Sequence, residues 1–200
     1  AYGQVLERQH GYAMENIIGI FTSFGLSSSA GLNAYLPLLI VALVGRFTDW
    51  IGLNEPFDAL TSWWAIGVLV VLSTIEILAD KIPVVDSTND VIQTFVRPIA
   101  GAILFAANTN AIADIHPVLA MVCGLLVAGT VHVVKSTARP VVTASTAGVA
   151  NPIVSTGEDI LSAVTAFLSI LLPVLLAVVL LIATVIVGWW LWSIRRRKQV

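Results

Sequence analysis

Apolar runs alternate with short polar stretches along the chain, and this pattern predicts an all-α, polytopic transmembrane helix bundle. A membrane-spanning helix needs about 20 mostly apolar residues, and about six segments approach or exceed that length. The last one is longer than a bilayer core and contains Pro173, so we expect it to tilt or kink. The predicted segments are 16–46, 63–80, 90–107, 117–135, 140–156 and 158–194.

Two of these segments are interrupted by related strings of small and polar residues. SSSAGLN occupies 27–33, and TASTAGVANP occupies 143–152. Asparagine is costly at membrane depth unless its amide has partners, and Asn151-Pro152 is typical of a helix start. We therefore predict broken helices at 27–33 and 143–152. Such breaks are tolerated in membranes only where they are buried or line a watery cavity.

The two strings allow two interpretations. Small residues let helix backbones pack closely, which is a purely structural role. Alternatively, the two breaks approach each other near the bundle centre and frame a substrate or ion site, as repeated breaks do in transporters. The candidate site residues in and beside these strings are Ser28, Ser29, Gly31, Asn33, Tyr35, Ser145, Thr146, Gly148 and Asn151.

Charged residues inside the predicted segments supply the remaining candidates. Glu76 and Asp80 are four residues apart and share one helix face, while Arg97 lies within the third segment. A short turn makes the second and third segments antiparallel neighbours, so Arg97 is the expected partner of Glu76. This pair either fixes helix packing or serves transport. Lys135 and Arg139 lie near a predicted helix end, where long side chains can reach the membrane interface.

Lysine and arginine are biased toward the cytoplasmic side of membrane proteins, and this bias orients the chain. If segment 140–156 crosses the membrane, Lys81, Lys135, Arg139 and the basic tail all face the cytoplasm, and Arg46 alone falls outside. If that segment only dips in and returns, the tail and Lys135 lie on opposite sides. The first arrangement is preferred, with both termini cytoplasmic.

Composition supports a lipid environment and gives no sign of catalysis. The 200 residues are 58% hydrophobic and 11% charged, with a mean hydropathy of +0.93, whereas soluble domains carry about 25% charged residues. Cys123 is the single cysteine, so no internal disulfide can form. Metal-ligand spacings, nucleotide-binding loops and nucleophile motifs are absent from the sequence. We therefore expect no enzyme activity, no cofactor or metal, and no nucleic-acid partner.

The chain divides into three parts. Residues 1–13 are polar and lack the pattern of a secretory signal, and Met14 looks like a natural start, so 1–13 are interpreted as a non-native or upstream extension. Residues 14–194 form a single transmembrane domain. Residues 195–200 form a basic cytoplasmic tail.

Three stretches resemble a known family. They contain AGLNAYLP at 30–37, DKIP at 80–83 and STAGVANP at 145–152. Over about 14–185 the chain is similar to a bacterial integral-membrane family known as domain of unknown function 4126. The resemblance implies a small multi-pass protein of the bacterial plasma (inner) membrane. It implies no activity, and no functional residue is carried over from it.

Three functions are consistent with the sequence. The polar breaks and embedded charges favour a transporter or channel for a small solute or ion. The long apolar stretch 160–194 would also suit a structural or assembly subunit, because it could contact partner subunits or a second copy of the chain as well as lipid. A lipid scramblase or flippase is a weaker alternative.

Overall fold

The structure, a computed structural model, describes residues 19–108 and 116–171, without the side chains of 83–88 and 90. Within these ranges the fold is all-α and contains no strand, only an isolated bridge between Leu53 and Asn108. The helices are α1 (19–32), α2 (Tyr35–Phe47), a 3₁₀ helix (Phe57–Thr61), α3 (Trp63–Ala79), α4 (Pro83–Ala107), α5 (Pro117–Thr146) and α6 (Asn151–Leu171).

Local sequence signals account for most helix boundaries. Proline occupies the first position of α4 and of α5, where its missing N–H costs nothing. The Ser62 hydroxyl accepts the backbone N–H of Ala65 and caps α3. At the end of α5, Ala147 and Gly148 take positive φ values of 49° and 81°, as in left-handed helix caps.

The hairpin formed by α1 and α2 enters and leaves the bundle at the same end. The Asn108 amide donates to the carbonyl of Gly19 at 2.9 Å, and Ser27 Oγ donates to the carbonyl of Gly101 at 2.9 Å, so α1 runs antiparallel to α4. After α2, the chain returns to the same end of α4, where the Asn54 N–H donates to the Ala107 carbonyl. We call this end of the bundle the Asn108 end, and the opposite one the Pro83 end.

Asn33 and Ala34 link α1 to α2 and form the tip of the hairpin. Beside the tip, a Cβ added to Gly31 would lie 2.5 Å from Val131 Cβ and 2.6 Å from the Ala128 carbonyl. Val131 is at the midpoint of α5, so the tip lies about halfway along the bundle. Only glycine permits this close approach of α1 to α5.

Helices α3 to α6 alternate in direction along the bundle. The tightest packing joins α4 to α5, where a Cβ on Gly101 would overlap Ala128 Cβ and the Gly124 carbonyl. Farther along the same pair, Thr94 Oγ1 lies 3.2 Å from His132 Nε2. Arg139 on α5 then pairs with Glu158 on α6.

Three predicted boundaries are wrong. Segment 16–46 is a hairpin instead of one crossing, and α1 continues through the serines to residue 32, so its break is at 33–34. Segment 140–156 is not a separate element, because α5 continues past Pro140 to Thr146. The threonines of this stretch bond to carbonyls one turn earlier, as Thr143 does to Arg139, and therefore do not interrupt the helix. The residues after Pro83 begin α4 instead of forming a turn.

The bundle has an apolar exterior, and its interior contains many polar and charged side chains beside an apolar core. The outward faces carry exposed aliphatic and aromatic side chains along α3 to α6, including Trp64, Val71, Phe95, Leu126 and Ile160. The buried face of α6, by contrast, is mostly polar. It consists of Asn151, Ser155, Asp159, Ser162, Ala166 and Ser169.

Candidate functional site

The hairpin tip binds the Glu76 carboxylate through its backbone. The Ala34 N–H donates to Glu76 Oε1 at 3.1 Å and Oε2 at 3.0 Å, and the Tyr35 N–H donates to Oε2 at 3.3 Å. Asn33 Oδ1 accepts the Leu36 N–H at 3.0 Å and caps α2. A carboxylate at this position is stabilised by the free N–H groups and the positive dipole end of the helix.

Helix α1, the other half of the hairpin, ends at the tip with the negative end of its helix dipole. The Lys135 ammonium donates to the Leu32 carbonyl at the end of α1 at 2.9 Å. Cations are favoured at helix C-termini. The tip therefore holds a carboxylate at the start of α2 and an ammonium group at the end of α1.

Glu76 and Arg97 form the predicted buried pair. Arg97 Nη2 lies 3.2 Å from Glu76 Oε1, and both side chains are fully buried. Arg97 also contacts Asp80 at 3.4 Å and His132 Nδ1 at 3.1 Å. A guanidinium group has no acceptor, so His132 Nδ1 accepts this bond, which leaves Nε2 to donate to the Thr94 hydroxyl.

Ion pairs extend from Arg97 across α3, α5 and α6. Lys135 Nζ lies 3.4 Å from Asp80 Oδ2 and 3.0 Å from Glu158 Oε2. Arg139 Nη2 contacts the same Glu158 oxygen at 3.1 Å. These ion pairs join six side chains, and Lys81 and Asp159 form a separate pair at 3.8 Å that is held to the hairpin tip by the Asn33–Asp159 bond. We call the eight side chains together the charge cluster: Glu76, Asp80, Lys81, Arg97, Lys135, Arg139, Glu158 and Asp159.

The charges of the cluster balance, because it contains four carboxylates and four cationic groups. Burying a charge is costly unless it is paired and hydrogen-bonded, and balance makes burial of so many groups possible. The two most exposed members are Lys81, with 34% of its side chain exposed, and Glu158, with 17%. Lys81 follows α3 at the Pro83 end, so the cluster reaches from the tip to the surface at that end.

The match to a protein family covers most of the chain. Residues 20–193 match the family described as a domain of unknown function, DUF4126. The chain belongs to the DUF4126 family. This confirms the resemblance seen in the sequence. No curated protein and no solved structure matches the chain.

In this DUF4126 protein the first small-residue string surrounds the hairpin tip. Ser29 Oγ lies 2.9 Å from Ser162 Oγ on α6, and Asn33 Nδ2 donates to Asp159 Oδ1 at 3.0 Å. Tyr35 contributes its backbone N–H to the Glu76 site. Ser28 is half-buried and its hydroxyl donates to the Phe24 carbonyl of its own helix, so its place in a pathway stays a prediction.

The second string lies elsewhere, and the prediction that the two breaks approach each other is wrong. Asn151 is buried, but its amide oxygen lies 3.1 Å from the Thr143 hydroxyl, a distance that is within hydrogen-bond range. It precedes Asp159 by eight residues, which is about 12 Å along α6. Ser145 is exposed, Thr146 and Gly148 are half-buried, and the hydroxyls of Ser145 and Thr146 bond to the Val142 carbonyl. These residues build the α5–α6 turn.

Several charged residues of the site were not identified from the sequence. Lys135 and Arg139 are buried instead of reaching the interface, at 5% and 7% exposure. Glu158 and Asp159 lie in the polar string STGED, which resembles an exposed helix start. Their three- and four-residue spacings with Ser155 and Ser162 were the available signal, since they place polar side chains on one face of α6.

Four buried side-chain oxygens of the described residues have no hydrogen-bond partner. They are Ser73 Oγ, Gln93 Oε1, Ser155 Oγ and Asp159 Oδ2. Buried polar groups without partners are rare in proteins and call for an explanation. The described residues contain no group of three or more His, Cys, Asp or Glu side chains arranged to hold a metal ion.

Proposed function

We propose that this protein is an integral membrane transporter or channel for a small ion or polar solute, and that its path runs through the charge cluster. The observation that carries the proposal is a balanced cluster of eight charges at the tip of a broken-helix hairpin, inside a bundle with an apolar exterior. Ionisable groups buried in membrane bundles characteristically mark ion or substrate paths. Irregular backbone at membrane depth occurs where it is buried or lines such a path.

Membrane insertion is supported by the arrangement of apolar side chains. Helices α5 and α6 are each long and apolar enough to cross a membrane, with mean hydropathies of 2.1 and 1.4 over their best windows. Exposed apolar side chains also cover α3 and α4, whereas a soluble protein rarely exposes such continuous apolar surface. In this proposal α3 to α6 cross the bilayer, and the hairpin of α1 and α2 is re-entrant.

The distribution of basic residues orients the bundle. Lys81, Lys135 and Arg139 lie toward the Pro83 end, which is therefore proposed to face the cytoplasm. Residue 19 then lies at the outer end, and the predicted cytoplasmic N-terminus stays a prediction, because residues 1–18 lie outside the described residues. The basic tail, Pro173 and residues 1–13 fall outside the described residues. The tail's cytoplasmic location and the docking role of 160–194 stay predictions, as does a bacterial inner-membrane location.

In this proposal the path is closed toward the Asn108 end. The charge cluster connects to the Pro83 end, whereas the Asn108 half is filled by close helix contacts, such as those of Gly101 and Gly124. The tip lies between these halves and is held by Glu76. Movement of Glu76 away from the Ala34 and Tyr35 N–H groups would free the tip, and this step is the proposed gate.

A structural or assembly subunit is the second candidate, because every member of the charge cluster already has an oppositely charged partner within 4 Å. A fixed network of this kind could serve only to define helix packing. The two functions differ in whether the purified protein supports flux by itself.

Tracer flux in proteoliposomes tests the proposal with a matched pair of variants. Asn33→Ala removes the side chain that caps α2 and binds Asp159, and it should abolish flux of the transported ion. Asn151→Ala removes the other string's asparagine, which bonds to Thr143 away from the cluster, and it should retain flux. Wild-type flux equal to that of protein-free liposomes across alkali cations, protons and halides would favour the structural role.

A further inference from the structure

Two of the unpartnered buried oxygens lie one helical turn apart on the same face of α6. These two unpartnered oxygens are Asp159 Oδ2 and Ser155 Oγ. Residue Asp159 is 8% exposed and residue Ser155 is 0% exposed. Residues four apart on a helix are neighbours, with Cβ atoms about 5–6 Å apart. A single small ligand between them could therefore contact both oxygens.

The orientation of Asp159 is fixed by the hairpin tip. Because Asn33 Oδ1 caps α2 through the Leu36 N–H, its amide nitrogen must face Asp159 Oδ1. This leaves Oδ2 as the oxygen directed away from the tip. Its nearest charged neighbour is Lys81 Nζ at 3.8 Å, beyond hydrogen-bond distance. The Lys81 ammonium instead donates to the Ile77 carbonyl of its own helix at 3.3 Å.

The surroundings of Asp159 favour a positive ligand. The Asn33–Asp159 bond places the carboxylate beside the C-terminal end of α1, where the helix dipole is negative. In transporters with broken helices, such half-helix ends help to coordinate Na⁺. An ionised carboxylate oxygen and a hydroxyl oxygen are both suitable ligands for a hard cation.

We propose that Asp159 Oδ2 and Ser155 Oγ form a binding site for a monovalent alkali cation of the Na⁺ class. This inference rests on the proposed function, since it assigns the site at which the transported or coupling ion enters the charge cluster. Lys81 is the built-in competitor at the mouth of the site. Its side chain is one-third exposed, so it can move into water when the cation arrives.

The exchange with Lys81 explains why the ligand carries one charge. The cluster has four carboxylates and four cations, and replacing one ammonium by one monovalent cation leaves it neutral. A divalent ion would add an uncompensated charge to the buried cluster. Divalent ions also require more oxygen ligands, with several carboxylates in many sites, than these two side chains supply.

Thermal unfolding in detergent tests the site, with NaCl replaced by choline chloride at constant chloride concentration. Binding to the folded state should raise the wild-type melting temperature by about 5–10 °C once Na⁺ exceeds its Kd a hundredfold. Asp159→Asn keeps the oxygen that accepts from Asn33 and should lose the response. Lys81→Gln removes the competitor and should lower the half-saturating Na⁺ concentration about two- to fivefold.

Asp58→Asn, on the exposed 3₁₀ helix at the Asn108 end, is the control and should respond as the wild type does. No difference between NaCl and choline chloride in the wild type would overturn the proposal. An unchanged response in Asp159→Asn, with normal gel filtration, would also overturn it. A Na⁺ response without flux would support the cation site and refute the transport function. Flux without a Na⁺ response would support the transport function and refute the cation site.

Discussion

Removing Glu76 from its buried pair should destabilise the protein strongly. Glu76→Gln eliminates the charge facing Arg97 at 3.2 Å and replaces one carboxylate oxygen with an amide nitrogen, which cannot accept the tip's N–H groups. At an effective dielectric constant of about 20, the Coulomb energy at this distance is about 5 kcal/mol. Loss of one partner from a buried pair typically costs about 3–5 kcal/mol.

The corresponding change in melting temperature is large enough to measure in detergent. About 3–5 kcal/mol corresponds to a decrease of about 6–20 °C for a chain of this size. Arg97→Gln should show a similar decrease, because it leaves Glu76 held only by the N–H groups of Ala34 and Tyr35. Asp58→Asn, which neutralises an exposed carboxylate, should change the melting temperature little.

A double-mutant cycle separates this pair from general effects of substitution. Glu76→Gln combined with Arg97→Gln should cost less than the sum of the two single variants, by about 0.5–3 kcal/mol. The coupling will not equal the full cost, because Arg97 also contacts Asp80. Strict additivity, or a cost below about 1 kcal/mol for Glu76→Gln, would refute the pairing.

Other substitutions test the packing and the hairpin. Gly101→Ala should destabilise the protein by about 1–3 kcal/mol, because its Cβ would overlap backbone and side-chain atoms of α5. The Cβ of Gly67→Ala meets open space, so this variant should be neutral or stabilising by up to about 1 kcal/mol. Equal melting temperatures for the two variants would contradict the close α4–α5 contact. Gly148→Ala should cost about 1–2 kcal/mol, since its φ is 81°, and an unchanged denaturation midpoint would argue against this turn. In a Cys123→Ala background, Phe21→Cys and Asp49→Cys should react with an impermeant maleimide from the same side of the membrane, whereas labelling from opposite sides would show that 16–46 crosses.

The sequence alone predicted the chemistry of the tip better than its topology. Asn33 and Glu76 were recognised because amides and carboxylates in apolar segments require partners, and the short turn after α3 made Arg97 the expected one. Length could not distinguish a crossing from a hairpin, because the 31-residue segment 16–46 suits either one long helix or two short ones. The decisive contacts, such as those of Asn54 with Ala107, join residues far apart in sequence.

The α6 side of the cluster could not be predicted for a different reason. STGED has the composition of a solvated helix start, and its burial depends on Lys135 and Arg139 approaching from α5. The second string had the same residue types as the first, but its hydroxyls find carbonyl partners within their own helix. Composition therefore identified two similar strings, whereas packing determined that only one meets the charge cluster.

Flux through Glu76→Gln decides whether the charge cluster conducts an ion. Wild-type and variant protein of equal monodispersity would be reconstituted at equal density, and tracer flux measured for the ion that the wild type transports. Conduction through the cluster predicts wild-type flux above that of protein-free liposomes and Glu76→Gln flux at their level. Equal flux from folded Glu76→Gln and wild-type protein would contradict it.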